Sequence, residues 1–483
     1  MENMAMNFSD YPLSEDILKA LKLLGLEKPT EVQQQVIPLI LEKKDLLVQA
    51  ETGSGKTAAF AVPLCHLVDW DENKPQVLVL EPTRELALQV QQEILDIGKF
   101  KRIKAPVLYG MHSFHHQARD LQQKSHFVVA TPGRALDHLQ RGTFPVEDIR
   151  YLVIDEADEL LKLGFLEQVE EIIQYLAGNQ ATMLFSATMP KQVKRLAEGY
   201  LLNPLEITIQ KETTVPELIK QYYYDVTEWE KLDFLMGMLM VENPDSCIIF
   251  ANTREDVEQV YQALYDDGFS CARLHGGMEQ RERTDVIADF RRGAFRYLVA
   301  TDVAARGIDI AKISLVVNYM LPDRAENYIH RAGRTGRAGQ SGKVISLLEQ
   351  QELKRLRYLT QKANVEIIQL TEPSVEAVEA AEAAFRQKME QPMVDRKAKN
   401  AQLHQDILKL QICDGKKAKI RPVDIVGTIC AIPGVEAKDI GIIDIRDWSS
   451  YVEILNGKGE MVLEALQEKP IKAKLRRVLK AKF

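Results

Sequence analysis

Three stretches carry side chains of the kinds that handle phosphoanhydrides. Residues 50–57 read AETGSGKT. Gly53 and Gly55 let backbone N–H groups curl around phosphate oxygens, Lys56 reaches the β and γ phosphates, and the Thr57 hydroxyl can ligate Mg²⁺. Ala50 stands where the general G-x-x-x-x-G-K-[ST] pattern has its first glycine. Residues 151–158, YLVIDEAD, put an acidic cluster directly after an apolar run. Asp155 is positioned there to hold Mg²⁺ and Glu156 to orient an attacking water. One acidic turn alone is commonly just solvated; one that follows a phosphate loop in the same sheet is a hydrolytic pair. Residues 330–337, HRAGRTGR, set His330, Arg331, Arg334 and Arg337 among glycines. The stretch is either a solvated basic loop or a source of arginine fingers for a transferring phosphoryl group.

Parallel strands must hold these loops. Between residues 45 and 187 the short β-branched runs LLVQA, VLVLEP, FVVATP, YLVIDEA and MLFSAT alternate with helical stretches such as RELALQVQQEILDIG. That alternation predicts a parallel sheet covered on both faces by helices. Residues 246–348 repeat it with SCIIFAN, RYLVATD, SLVVNYM and KVISLL, and the polar KETTVPE (211–217) reads as the joint. The Ala- and Glu-rich EPSVEAVEAAEAAFRQKMEQP predicts a helix, followed by a polar VDRKAKNAQ. The remainder reads βαββαβ and ends in a strand with Lys472, Lys474, Arg476 and Arg477. The expected boundaries are 1–208, 218–368, a helical and flexible linker over 369–403, and 404–483.

Composition narrows the class. A chain of 483 residues exceeds one usual core, and 46% hydrophobic with 27% charged residues is ordinary for a globular protein. Five scattered cysteines with no C-x-x-C pair point away from a zinc site or a disulfide scaffold. The N-terminal stretch lacks a basic segment followed by an apolar one, and no apolar run approaches the roughly 20 residues that span a bilayer. A soluble, cytoplasmic protein is expected. The formal charge is −8, yet residues 404–483 hold 15 Lys and Arg against 11 Asp and Glu, a net of +4 that leaves −12 for the rest. Any footprint for nucleic-acid phosphate is concentrated in the tail.

Taken in order, KPTEVQ with Gln33, AETGSGKT, PTRELA (82–87), TPGR (131–134), DEAD (155–158), SAT (186–188), IIFANT (248–253), LHGGMEQRER (274–283), TDVAARGID (301–309) and HRAGRTGR resemble the DEAD-box RNA helicases. The resemblance covers almost the whole chain and implies two RecA-like domains, an ATP-dependent RNA helicase activity, and ATP with Mg²⁺ as cofactors. It also accounts for Ala50, since the family's phosphate loop normally begins with Ala. By that resemblance Phe8 stacks on the base and Gln33 reads the adenine edge. Ala50, Glu51, Thr52, Gly53, Ser54, Gly55, Lys56 and Thr57 surround the phosphates, Thr57 and Asp155 take Mg²⁺, and Asp309 touches the ribose. Arg334 and Arg337 are the fingers, and Ser186, Thr188 and His330 couple hydrolysis to strand separation. Pro82, Thr83, Arg84, Thr131, Gly133, Arg134, Gln280, Arg283, Thr301 and Asp302 match motifs that grip the RNA backbone, contacts largely blind to sequence. Three positions depart from the family pattern: Leu26 replaces an aromatic, Glu51 a frequent Gln, and Met111 the second glycine of a Gly-Gly pair.

The tail, with DILKLQICDGKKAKIRPVDIVGTI and DIGIIDIRDWSSYVEILNGKG, looks like that of the DbpA/YxiN subgroup of bacterial DEAD-box proteins. That resemblance implies an RNA-recognition-motif-like domain that binds a hairpin of large-subunit (23S) rRNA and directs the helicase to assembling 50S particles; a monomer is expected, since nothing in the sequence suggests more. In DWSSYVEI (447–454) only Tyr451 and Val452 fit the base-stacking consensus of such domains. Affinity is therefore expected from Lys416, Lys417, Lys419 and Arg421 in the basic turn together with Lys472, Lys474, Arg476 and Arg477 on the last strand, with Tyr451 either stacking one base or packing. An ATP-gated RNA clamp or a general RNA-remodelling helicase needs the same motifs, and a DNA helicase fits them less well.

Overall fold

The computed structural model describes residues 7–51, 53–176, 178–209, 219–305, 313–336, 341–391, 403 and 406–481. The chain divides into two compact units, Met1–Ile209 with Lys399–Phe483, and Gln210–Ala398.

In the first unit β1 (Leu46–Gln49), β2 (Val77–Leu80), β3 (Val107–Leu108), β4 (Phe127–Ala130), β5 (Tyr151–Ile154), β6 (Ala181–Ser186) and β7 (Leu205–Thr208) form one parallel sheet in the order β3-β4-β2-β5-β6-β1-β7. Side chains alternate between its faces. Val77, Val79, Phe127 and Val129 join a core with Phe60, Ile94 and Ile37, whereas Leu78, Leu80, Val128 and Ala130 join a second core with Leu136, Ile172 and Leu196. Continuous apolar strands are what a sheet buried on both faces requires. The five runs expected here are all strands; β3 and β7 carry no such run because they are short edge strands, and in β7 every residue but Ile207 is exposed to solvent.

The second unit repeats the plan with β8 (Ile219–Asp225), β9 (Cys247–Ala251), β10 (Cys271–Leu274), β11 (Tyr297–Thr301), β12 (Leu315–Asn318), β13 (Gly342–Leu348) and β14 (Ile367–Gln369), in the order β10-β11-β9-β12-β13-β8-β14. Helix Val375–Glu390, in the segment read as a linker, packs into this unit. Phe385 is fully buried against Phe269, and Arg386 donates to Asp267 Oδ1 at 3.0 Å. The expected joint 211–217 lies outside the described residues.

The tail completes the first unit as β15 (Leu408–Ile412), β16 (Ile440–Ile445), β17 (Ser450–Ile454) and β18 (Val478–Lys480), an antiparallel sheet ordered β16-β17-β15-β18. Helices Pro422–Cys430 and Gly459–Glu468 cover one face around Leu410, Val452, Ile429 and Leu466. This is the α+β domain expected after the two parallel sheets. Among the described residues no helix is long and apolar enough to cross a membrane.

Candidate active site and nucleic-acid surface

The carboxyl ends of the adjacent strands β2, β5, β6 and β1 converge on one place, where open α/β sheets take their ligands. Gly53 and Gly55 have φ of 85° and 94°, the left-handed region where a side chain costs energy. A Cβ on Gly55 would also stand 2.5 Å from Gln33 Nε2. The loop is held from outside: Thr30 Oγ1 donates to the Ser54 carbonyl (2.8 Å) and Gln33 Nε2 to the Gly55 carbonyl (3.1 Å), while the Thr30 amide donates to Gln33 Oε1 (2.9 Å). Gln33 is thus fixed with one amide hydrogen and one lone pair in use, leaving one of each for a purine edge. The Ala50 amide donates to the Ser186 carbonyl at 3.0 Å, which ties the loop to β6. Phe8, read as a base-stacking ring, is only 3% exposed within the first core, so stacking requires the ring to leave that packing.

Lys56 Nζ donates to Glu156 Oε1 at 2.9 Å, with side chains 4% and 9% exposed. Burial alone would lower the lysine's pKa, but the attraction of Glu156 and Asp155 carries it above the ordinary value. Glu156 sits at φ 47°, ψ 50°, a left-handed conformation that strains a non-glycine residue. Its amide donates to Asp155 Oδ1 at 2.8 Å. Burial, opposed by Lys56 and reinforced by Glu156, pushes the Asp155 carboxyl up to about 7. Oxygen donors from a hydroxyl and a carboxylate suit Mg²⁺, and a half-buried Thr57 with a buried Asp155 at the loop mouth provide that set.

Two residues of this centre were not singled out from sequence. Glu81 follows β2, beside Asp155 at the register set by Leu80 and Ile154; it is fully buried, and neither carboxyl oxygen has a hydrogen-bond partner among the described residues. Burial, then the nearby Asp155 and Glu156, pushes it well above the usual carboxylate range. A charged residue between an apolar strand and PTRELA was the available signal. Asp158 closes the DEAD stretch: its Oδ2 accepts from the Thr188 hydroxyl (2.8 Å) and amide (3.2 Å), and its own amide donates to Ser186 Oγ (3.2 Å). Ser186 Oγ in turn donates to the Thr188 carbonyl at 2.6 Å. These bonds join the acidic loop to the SAT residues directly.

The arginines of the first unit that match RNA-gripping motifs are engaged with the protein. Arg84 donates to the Gly110 carbonyl and lies over the Tyr109 ring. Arg134 donates to the His112 carbonyl (3.1 Å) and Gln117 Oε1 (3.0 Å). Both therefore hold the 109–117 segment, a loop leading into helix Phe114–Leu121, in which Met111 is 90% exposed at φ 60°. That dihedral explains why glycine suits the position. Thr83 and Thr131 precede helices Arg84–Ile97 and Pro132–Gln140, Pro82 is buried, and Gly133 is open to solvent.

In the second unit Asp302 receives a paired contact from the buried Arg331, whose Nε and Nη2 lie 2.5 and 2.8 Å from its two oxygens. Arg331 also donates to Asn318 Oδ1 and Asn252 Oδ1, both at 3.1 Å, so this arginine of HRAGRTGR ties β9, β11 and β12 together. Thr301 ends β11, Arg334 is buried, and Arg283 and His330 are half-buried. Gln280 opens helix Gln280–Arg292. Thr52, Asp309 and Arg337 lie outside the described residues.

In the tail domain Lys416, Lys417, Lys419 and Arg421 are all exposed. Two expectations for the C-terminal cations need correction. Lys472, Lys474, Arg476 and Arg477 precede β18 rather than lie on it, and Arg476 is buried, paired with Asp414 and donating to the Ile471 carbonyl at 3.0 Å. A guanidinium is turned inward there because Asp414 satisfies it. Tyr451 is half-buried, with the Arg446 and Lys409 cations 4.7 and 5.8 Å from its ring. Trp448, a second aromatic inside DWSSYVEI that does not match the base-stacking consensus, is 75% exposed with Lys417 Nζ 5.9 Å from its ring.

Comparisons with known proteins agree with this arrangement. The DEAD/DEAH box helicase family matches residues 30–196, the helicase conserved C-terminal domain residues 230–339, and the DbpA RNA binding domain residues 409–479. The chain is 52% identical over 475 residues to ATP-dependent RNA helicase DbpA of Bacillus subtilis (strain 168), covering 98% of this chain and 99% of that one. It is 41% identical over 332 residues to DEAD-box ATP-dependent RNA helicase CshA of the same organism, covering 68% and 67%. Among solved structures it is similar to S. cerevisiae Dbp5 bound to RNA and ADP BeF3, with a TM-score of 0.69 and 29% identity over 79% of this chain and 99% of that one. With near-complete coverage by a relative at such identity, the chain belongs to the DEAD-box ATP-dependent RNA helicases, in the DbpA subgroup.

Proposed function

We propose that this helicase is addressed by its C-terminal domain to a hairpin of 23S rRNA, and that it unwinds short neighbouring duplexes during 50S subunit assembly, as a cytoplasmic monomer. Its domains on this reading are 1–208, 218–368 and 404–483, joined through a linker over 369–403 whose helix Val375–Glu390 packs into the second unit. The match of residues 409–479 to the DbpA RNA binding domain supports the address, and the exposed Lys416, Lys417, Lys419 and Arg421 supply charge for RNA phosphate. Anchoring raises the local concentration of duplex around a sequence-blind motor, by on the order of a hundredfold or more for a short tether.

The observation that carries the hydrolytic mechanism is the Lys56–Glu156 pair beside the left-handed glycine loop. An entering triphosphate competes with Glu156 for the Lys56 ammonium. Once Lys56 turns to phosphate, Glu156 is released to orient a water and accept its proton. Thr57 and Asp155 would hold Mg²⁺, which when bound neutralises charge between the phosphates. Gln33, already fixed by the loop, presents its free amide hydrogen and lone pair to adenine. Asp158 and Thr188 transmit the state of the acidic loop to the end of β6. Arg334 and Arg337 supply cationic charge for the transition state.

Steady-state ATPase activation of the full chain by equal-length fragments tiled across large-subunit rRNA tests the address. One hairpin-bearing fragment is expected to saturate at far lower concentration than the others. Equal half-saturation by all fragments would overturn it.

A further inference from the structure

Glu81 is a buried titratable group that the hydrolytic mechanism leaves unused. Its side chain is fully buried, and neither carboxyl oxygen has a hydrogen-bond partner among the described residues. By contrast Asp155 accepts from the Glu156 amide and Glu156 from Lys56, at 2.8 and 2.9 Å. Burying a carboxyl without a partner is unfavourable, and an apolar side chain would continue VLVL without that penalty. A polar group retained in such a place serves something other than the fold.

The pleat of the sheet shows where the group is aimed. Val79 of β2 and Val153 of β5 are paired and lie in the core that contains Phe60, on the face covered by helix Lys56–Leu67. The ladder runs on beyond both strands, since the Asp155 amide donates to the Leu80 carbonyl at 3.1 Å and the Glu81 amide to the Ala130 carbonyl at 2.9 Å. Two positions further on, alternation returns Glu81 and Asp155 to that face, side by side on adjacent strands about 5 Å apart. The covering helix begins with Lys56 and Thr57. The charges acting on Glu81 are accordingly those of Asp155, Glu156 and Lys56, in that order.

Thr57 and Asp155 are the donors that suit Mg²⁺, and this ion identifies what Glu81 faces. Mg²⁺ sheds its hydration reluctantly and keeps several waters even at a protein site. Those waters, polarised by the ion, donate hydrogen bonds, and a carboxylate accepts them at about four lone-pair positions. The oxygens of Glu81 have no competing donor among the described residues. We propose that Glu81 is a positioning residue for the metal–nucleotide complex: from the strand beside Asp155 its carboxyl accepts hydrogen bonds from waters on Mg²⁺, and it raises the affinity of the site for the ion without ligating it. The proposal rests on the assignment of Mg²⁺ to Thr57 and Asp155. Glutamine at position 81 keeps the shape and one acceptor oxygen but loses the charge, and alanine removes both.

Binding of a fluorescent, non-hydrolysable ATP analogue to the full chain tests this without turnover. The titration is run against Mg²⁺ concentration and repeated in excess chelator. Glu81→Gln is expected to raise the half-saturating Mg²⁺ concentration by about tenfold and Glu81→Ala by more, the scale on which groups that orient a metal's ligands act. Affinity for the analogue in chelator is expected to stay at the wild-type value in both. An unchanged Mg²⁺ midpoint in both variants would overturn the role. So would an equal loss with and without the ion, which would assign Glu81 to shape alone. Asp155→Asn in the same titration separates this role from the metal assignment beneath it. A raised midpoint in Asp155→Asn with none in the Glu81 variants overturns only the role of Glu81, whereas a wild-type midpoint in Asp155→Asn overturns the assignment of Mg²⁺ to Asp155.

Discussion

The hydroxyl and the amide of Thr188 both donate to a single oxygen, Oδ2 of Asp158, at 2.8 and 3.2 Å. The last residue of the acidic loop is thereby bonded to the residue that ends SAT, and those bonds hold the Asp158 carboxyl below the usual range despite its burial. Thr188→Val removes the hydroxyl donor while keeping the shape. RNA-stimulated ATP hydrolysis is expected to stay within about threefold of wild type while duplex separation per ATP falls about tenfold, a loss of about 1.4 kcal/mol of coupling. Parallel ATPase and strand-displacement assays check it; equal losses in both would assign Thr188 to hydrolysis itself.

Lys56 and Glu156 depend on each other. Lys56→Ala should abolish ATP hydrolysis and also leave Glu156, Asp155 and Glu81 crowded without a cation. Stability of the nucleotide-free protein is expected to fall by about 3 kcal/mol, the usual scale for breaking a buried pair from one side. Urea unfolding reads this. Glu156→Gln keeps a neutral partner for Lys56, so nucleotide should still bind while turnover is lost.

Glu81 gives a pH signature. Its carboxyl is raised in the folded protein, so the folded state holds a proton that the unfolded chain releases above about pH 4.5. Its contribution is fully present below that pH and is lost as the pH rises toward the folded value. Glu81→Gln removes this slope. The variant should gain stability relative to wild type from pH 5 to pH 8, read as a growing difference in urea midpoint; a constant difference would mean that Glu81 is ionised in the fold.

Met111 at φ 60° carries the left-handed cost that glycine avoids. Met111→Val, with a branched Cβ, should lower the melting temperature, by about 1–2 kcal/mol of stability. Met111→Gly should be close to neutral, because relieved strain offsets the added freedom of the unfolded chain.

Lys417→Ala with Lys419→Ala should weaken hairpin binding and flatten its dependence on log salt concentration, by about 0.7–0.9 for each phosphate that is no longer neutralised. Binding measured at several salt concentrations checks this, and an unchanged slope would place the phosphate-binding cations elsewhere.

Most of the fold was legible because its strands are buried on both faces. VLVL, FVVA, YLVI and CIIFA must be apolar throughout, and such runs stand out in any chain. The edge strands β3, β7, β10 and β14 were not legible, since half-wet positions carry mixed residues and two to four of them make no period. The loops were legible for a related reason. Phosphate chemistry demands glycine, lysine, hydroxyl and carboxylate at close spacing along the chain, so AETGSGKT and DEAD announce themselves.

Local demands of that kind were settled by sequence alone: the left-handed glycines, the Lys56 loop, the acidic turn after β5, the basic turn at 416–421. What only the tertiary structure decided is which charges meet. Glu81 is separated from the phosphate loop by β5 and β6 in sheet order yet shares its electrostatics, Arg476 is consumed by Asp414, and Arg331 is a clamp on Asp302. Lys99 finds Glu453 across 354 residues of chain. No spacing rule reports such pairs. A charge's partner is set by desolvation and distance in three dimensions, and both exist only once the chain has folded.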